Sequence, residues 1–209
     1  MSAKTGQSGE NRPAIVLASA SPIRATLLAR AGITVNRRAA DIDESMLRAA
    51  LRRDGANAEQ ASLALAEAKA RRVAAHCPGA LVIGADQILD CGGHWLEKAA
   101  DRDAARATLR ALRGRSHGLA TGVAVLRDGD RLWRHSECVE LTMRRFDDAF
   151  LERYLDRVGE AVFDSVGCYQ LEGPGIQLFA DIRGDFFTIL GLPLLPLLAF
   201  LRDEKAIAA

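Results

Sequence analysis

Cysteine is scarce in this chain of 209 residues. There are four, Cys77, Cys91, Cys138 and Cys168, and no two stand in close C-x-x-C spacing. Neither a thioredoxin-like pair nor a zinc knuckle is therefore expected. His76 beside Cys77, and His94 near Cys91, read as ordinary loop and strand residues. An excess of charge is missing too. The formal net charge is +1, which removes any global pull toward nucleic acid or a membrane surface. Aromatics make up 5% of the residues and are not interleaved with a basic stripe, so no nucleic-acid module is indicated. Long apolar runs are also lacking. ILGLPLLPLLAFL near the end is too short for a comfortable span and holds two prolines; it reads as a buried helix. Met1 to Pro13 is polar and glycine-containing, a tail rather than a signal peptide, and the expected location is the cytoplasm. There is neither a Walker A loop nor a G-x-S-x-G elbow.

What is present fits one soluble α/β domain over 14–209, with 49% hydrophobic and 26% charged residues. AIVLASAS begins as an apolar strand. Ser21 at the N-cap with Pro22 after it starts a helix that Gly32 ends. ITVNRRAA reads as a strand leading to the acidic DIDE. An alanine-rich helix follows over 58–76, and then ALVIGADQILD as the central strand. Asp101 caps a helix through Leu112. Asp128-Gly129 is a hairpin turn between two strands, and Asp147 or Asp148 opens another helix. A glycine-rich stretch and a closing helix over 192–201 finish the chain. This order predicts a mixed twisted sheet flanked by helices, with a cleft between two lobes, the smaller from the hairpin region.

One residue in this pattern needs a reason. VIGADQILD looks like a buried strand, yet Asp86 stands in its middle. A buried carboxylate is costly without a cation, a metal or hydrogen bonds. Either the strand stops at Gly84 and Asp86 is wet, or Asp86 has a partner. Other acidic candidates are Asp41, Asp43 and Glu44, at or past strand ends; two such carboxylates can hold a hard divalent ion. Lysine is rare, at Lys4, Lys69, Lys98 and Lys205, so the two interior ones invite explanation as partners of phosphate. The helix start in SASPIR offers free backbone N–H groups and the hydroxyls of Ser19 and Ser21. Arg24 lies in the first turn, where its charge opposes the helix dipole unless an anion is near.

Together these segments resemble the Maf family of nucleoside triphosphate pyrophosphatases, from about Ile15 to Leu201. LASASPIRATLL is similar to the family's opening motif, DIDE to its acidic motif, GADQ to its Gly-Ala/Ser-Asp-Thr/Gln motif, and VGCYQLEGPGIQLF with GDFFTILGLPL to its closing region. The resemblance implies a Maf/ITPase-like fold. It implies hydrolysis of a nucleoside triphosphate between the α and β phosphates, with Mg²⁺ or Mn²⁺. Glu44 and Asp86 would hold the metal, and Asp86 would also serve as base. Lys69 and Lys98 would neutralise the phosphates with Arg24, while Ser19 and Ser21 clamp them. Gln87 and Glu172 would lie near the base. It also implies a homodimer as a frequent assembly.

The chain departs from the family pattern in places. Ile23 stands where a first arginine is usual after Ser-Pro, Ala99 where proline is usual after the lysine, and Ser165 where the branch favouring thymidine and uridine triphosphates has lysine. Gln87 and Glu172 look more like the branch acting on 7-methyl-GTP, so a methylated or purine base is expected. Two other readings stand beside it: a dTTP/UTP-preferring pyrophosphatase, and a nucleotide-binding regulator of cell division without turnover.

Overall fold

The structure, a computed structural model, describes residues 12–208. The expected polar tail over 1–13 therefore falls almost wholly outside the described residues. Strand β1 (Ile15–Ala18) leads through Ser21 into helix α1 (Pro22–Arg30). Pro22 fits the first turn because its missing N–H would have no partner there anyway. Ser21 holds the N-cap place, but its side chain makes no capping bond. A two-residue β2 (Asn36–Arg37) follows, then α2 (Glu44–Arg53), capped by the Asp43 carboxylate accepting from Met46 N. Asn57 and Gln60 close a reciprocal capping box at the head of α3 (Ala58–Ala74).

The central strand is β3 (Leu81–Cys91), and it runs straight through Asp86. Gly92 and Gly93, both at positive φ, turn it back into β4 (His94–Leu96). Helix α4 (Arg102–Leu112) starts under its Asp101 cap. The hairpin β5 (Ser116–Arg127) and β6 (Asp130–Met143) turns at Asp128 and Gly129, both at positive φ as a primed two-residue turn requires. Helix α5 (Asp148–Val158) is capped by Asp147, and two 3₁₀ turns carry the glycine-rich stretch to β7 (Phe179–Arg183). A short α6 (Phe186–Ile189) precedes the closing helix α7 (Leu194–Asp203).

The seven strands of the described residues form one mixed sheet, ordered β2-β1-β3-β5-β6-β7, with β4 also on β3. The β1–β2 and β1–β3 pairs are parallel and the others antiparallel. The hairpin thus supplies the longest strands of the main sheet rather than a lobe of its own, because Val123 and Ala124 are core residues on opposite faces. One face carries the large core, where Leu28 of α1, Leu109 of α4, Leu151 of α5 and Leu197 of α7 share one buried cluster with Ile83 and Leu141. The other face carries α3 and, beyond it, α2.

Two glycines set how close α3 comes to the sheet. A Cβ on Gly84 would sit 2.0 Å from the Ala66 carbonyl oxygen, and one on Gly122 would sit 2.4 Å from Leu63 N. Only bare backbone in β3 and β5 admits the helix at that distance. Side chains alternate along a strand, so Gly84 and Asp86 face α3 together. The sheet also has a gap. β1 stops pairing with β3 at Ala18–Gly84, and β4 begins at Leu89 on the same edge. Residues 85–88 of β3 have β5 on one side and no strand on the other. A cleft opens through that gap.

Candidate active site

The cleft is about 940 Å³ in volume, and it collects the nine residues that the family resemblance implied for the site: Ser19, Ser21, Arg24, Glu44, Lys69, Asp86, Gln87, Lys98 and Glu172. Asp86 and Gln87 point to opposite faces of the sheet, yet the gap beside β3 exposes both to the same space.

Asp86 is 4% exposed, so the question the sequence raised has its answer in a partner. Lys69 reaches down from α3 and donates to Asp86 Oδ1 at 2.6 Å, and its Nζ lies 2.8 Å from Glu44 Oε2. One ammonium thus joins two carboxylates from separate parts of the chain. Glu44 is the first residue of α2, where a negative charge also suits the helix dipole. Asp41 and Asp43 stay out of this cluster: Asp41 is exposed, and Asp43 is spent on its cap. The cap bond from Met46 N, with the Ser45 hydroxyl, holds the Asp43 carboxyl below its ordinary pKa.

The pairing is incomplete in one respect. Asp86 Oδ2 is buried and accepts no hydrogen bond among the described residues. Arg48 of α2 stands beside it, with Nη2 at 3.8 Å. An unspent carboxylate oxygen in a low-dielectric wall is a costly arrangement, and such atoms call for an explanation. No group of three or more His, Cys, Asp or Glu side chains among the described residues is placed to enclose a metal by itself. A small hard ion shared with substrate phosphates needs only one or two carboxylates, however. Glu44 and Asp86, with Oδ2 free, fit that requirement.

Arg24 is employed differently from the sequence expectation. Its Nε donates to the Gly191 carbonyl at 3.0 Å, and its Nη1 to Ala85 O at 2.7 Å and Ser19 Oγ at 3.2 Å. It turns inward, closes the bare edge of β3 and ties α1 to the turn before α7. Burial pulls its pKa below the ordinary value, while the charges of Asp86 and Glu44 oppose that fall. Ser19 Oγ also accepts from Ser21 N at 3.2 Å, which fixes the loop between β1 and α1. Gln87 spends its amide nitrogen on Thr121 Oγ1, Thr188 O and Ile189 O. Lys98 and Glu172, by contrast, are exposed on the cleft wall.

Sequence reasoning missed Arg48 and Glu97, which also line the cleft. The signal for Arg48 was there: it lies four residues after Glu44, on the same face of α2.

Residues 14–204 match the model of the family described as "Maf: Maf-like protein". The chain belongs to the Maf family. It is 53% identical over 189 residues to the nucleoside triphosphate pyrophosphatase of Paramagnetospirillum magneticum, covering 90% of this chain and 97% of that one. It is 51% identical over 193 residues to the protein of the same name from Granulibacter bethesdensis, covering 92% and 98%. It is 52% identical over 193 residues to the 7-methyl-GTP pyrophosphatase of Brucella suis, covering 92% and 97%. Relatives named for the general and for the methylated substrate thus stand at nearly equal distance from this Maf chain. No helix among its described residues is long and apolar enough to cross a membrane.

Proposed function

We propose that this Maf protein is a nucleoside triphosphate pyrophosphatase, converting a nucleoside triphosphate and water to the monophosphate and diphosphate. The observation that carries the reading is Lys69 joined to Glu44 and Asp86 in an open cleft, with Asp86 Oδ2 left unspent. The pyrophosphatase names of the relatives support it.

Glu44 and Asp86 are the residues that would hold a divalent cation, Mg²⁺ or Mn²⁺. When bound, such an ion supplies polarisation of a phosphoryl oxygen and a lowered pKa for a nearby water. The chain's own groups do the rest. The Asp86 carboxylate takes the proton as the water oxygen bonds to the α-phosphorus and the bond to the bridging oxygen of the leaving diphosphate breaks. Lys69 holds Oδ1 and fixes the carboxylate's orientation. Lys98 neutralises charge that gathers on the departing phosphates, and the loop from Ser19 to Ser21 offers backbone and hydroxyl donors for the rest.

The base is a methylated or other purine on this reading. Glu172 can accept hydrogen bonds from a guanine edge or offset a methylated ring's positive charge. Gln87 has less freedom, because its amide nitrogen is already committed. A cytoplasmic home and a homodimer belong to the same reading, and light scattering of the purified chain tests the second.

The deciding experiment is diphosphate release from a nucleotide panel with Mg²⁺ or Mn²⁺. Turnover led by 7-methyl-GTP or another purine nucleotide is expected. Best turnover on dTTP or UTP would overturn the base assignment. Nucleotide-shifted thermal stability with no diphosphate released would replace the enzyme by the binding regulator.

A further inference from the structure

Four cationic side chains among the described residues line the cleft: Arg24, Arg48, Lys69 and Lys98. Arg24 has given three hydrogen bonds to the protein, and Lys69 is shared between two carboxylates. Lys98 is an exposed point charge. Arg48 is in none of these states. Its side chain is 16% exposed, yet it makes no hydrogen bond among the described residues. Its Nε is buried without a partner. Its two ends stand 3.8 Å from Asp86 Oδ2 and 3.7 Å from Glu97 Oε1, both beyond hydrogen-bond reach.

A guanidinium drawn largely out of water with its donors unspent is poorly satisfied. It stands between two carboxylates without a hydrogen bond to either, beside the end of β4. Its planar fork matches the oxygens of a phosphate better than a single ammonium can. We infer that Arg48 is a substrate-binding residue that grips the polyphosphate, and that its place between Asp86 and Glu97 is its parking position in the free protein. The inference rests on the nucleotide reading of this cleft and adds a residue to it. Glu97 competes for the guanidinium in the free state, so it restrains binding rather than aids it.

The test is calorimetric titration of the full chain with inorganic tripolyphosphate in MgCl₂, beside steady-state kinetics on the best nucleotide. Arg48→Ala is expected to weaken tripolyphosphate binding about 10- to 100-fold, the worth of one or two charge-assisted hydrogen bonds. KM rises by a similar factor, and kcat falls less. Arg48→Lys recovers part of the loss, because charge returns without the fork. Glu97→Gln leaves affinity equal or tighter. If Arg48 were a mere latch between α2 and β4, Arg48→Ala and Glu97→Gln would weaken binding alike. That result would overturn the inference, as would unchanged affinity in a folded Arg48→Ala. Should Arg48→Ala not fold, Arg48→Lys with the parent's affinity and KM, or Glu97→Gln with weakened binding, would overturn it equally. A parent chain that neither binds tripolyphosphate nor turns over any nucleotide sinks the proposed function itself. Parent turnover with an indifferent Arg48 sinks only this inference.

Discussion

Two clusters of charge in this molecule look alike in sequence and differ in kind. Between α4 and α5, Arg102, Arg106, Arg110 and Arg113 meet Asp148, Glu152 and Asp156 across the helix pair. Arg106 makes two bonds to Glu152 and a further pair with Asp103. These carboxylates are solvent-exposed and well matched with arginines. The second cluster, in the cleft, is drier and less complete. Lys69 serves two acids, Asp86 Oδ2 serves none, and Arg48 hangs between two carboxylates without a bond. A satisfied exposed network contributes little and invites no ligand. A buried, unfinished one costs stability, and that cost is tolerated where a ligand completes the set.

The comparison can be broken by removing the unfinished atom. Asp86→Asn is expected to cut turnover by at least about a thousandfold, while circular dichroism shows the fold intact. A variant with near-parental kcat would remove Asp86 from the chemistry and the contrast with it. The next largest effect tests what holds the cleft cluster together. Gly84→Ala puts a Cβ 2.0 Å from the Ala66 carbonyl, so α3 must lift. A loss of about 2–4 kcal/mol in denaturant unfolding is expected, with turnover falling because Lys69 moves with the helix. Parental stability would show that α3 has slack here.

Acid separates the regions further. His117 of β5 is buried beside the cleft residue Tyr169, its Nε2 3.0 Å from the tyrosine hydroxyl and its Nδ1 without a partner among the described residues. Burial pushes its pKa down to about 4. An unfolded chain binds that proton near pH 6.5 and the folded chain does not, so stability is present above pH 6.5 and drains as pH falls toward 4. About 2–3 kcal/mol of acid loss is expected from this group, and His117→Gln should flatten that part of the curve. Glu152 acts lower: Arg106 and Arg102 hold its pKa at about 2, so its contribution is present above pH 4.5 and is lost as pH falls through about 2. Stability insensitive to pH between 6.5 and 4 would contradict the assignment.

The smallest effect belongs to the exposed network. Arg106→Ala should leave turnover unchanged and lower Tm only slightly, by an amount that shrinks as salt rises. A loss of activity in Arg106→Ala would erase the distinction between the two clusters.

Much of the framework was legible before any tertiary structure. Ser21-Pro22, Asp101 and Asp147 mark helix starts, and Asp128-Gly129 marks the hairpin, because capping and turn chemistry are local. Asp86 announced itself through a conflict between its charge and its apolar neighbours. Arg24 was less legible: its position suggested an anion, while its donors went to Gly191, Ser19 and Ala85 from three stretches of chain. The hairpin's place in the main sheet was also hidden, since pairing partners are not written into a strand. Arg48 stands four residues after Glu44, a spacing that links the two once α2 is formed, but whether its donors are spent was settled by packing against β3 and the segment after β4.

The sequence by itself determined most of the elements with their caps and turns, the family, and most of the residues worth suspecting, because those depend on local chemistry and on motif; helix α2 and its Arg48 it did not. The tertiary structure decided which suspects share a partner. Two glycines in neighbouring strands let α3 settle on the sheet, and that approach seats one lysine between two distant acids. Whether a charged atom ends up satisfied or unspent is a property of packing across the chain, and no window of sequence contains it.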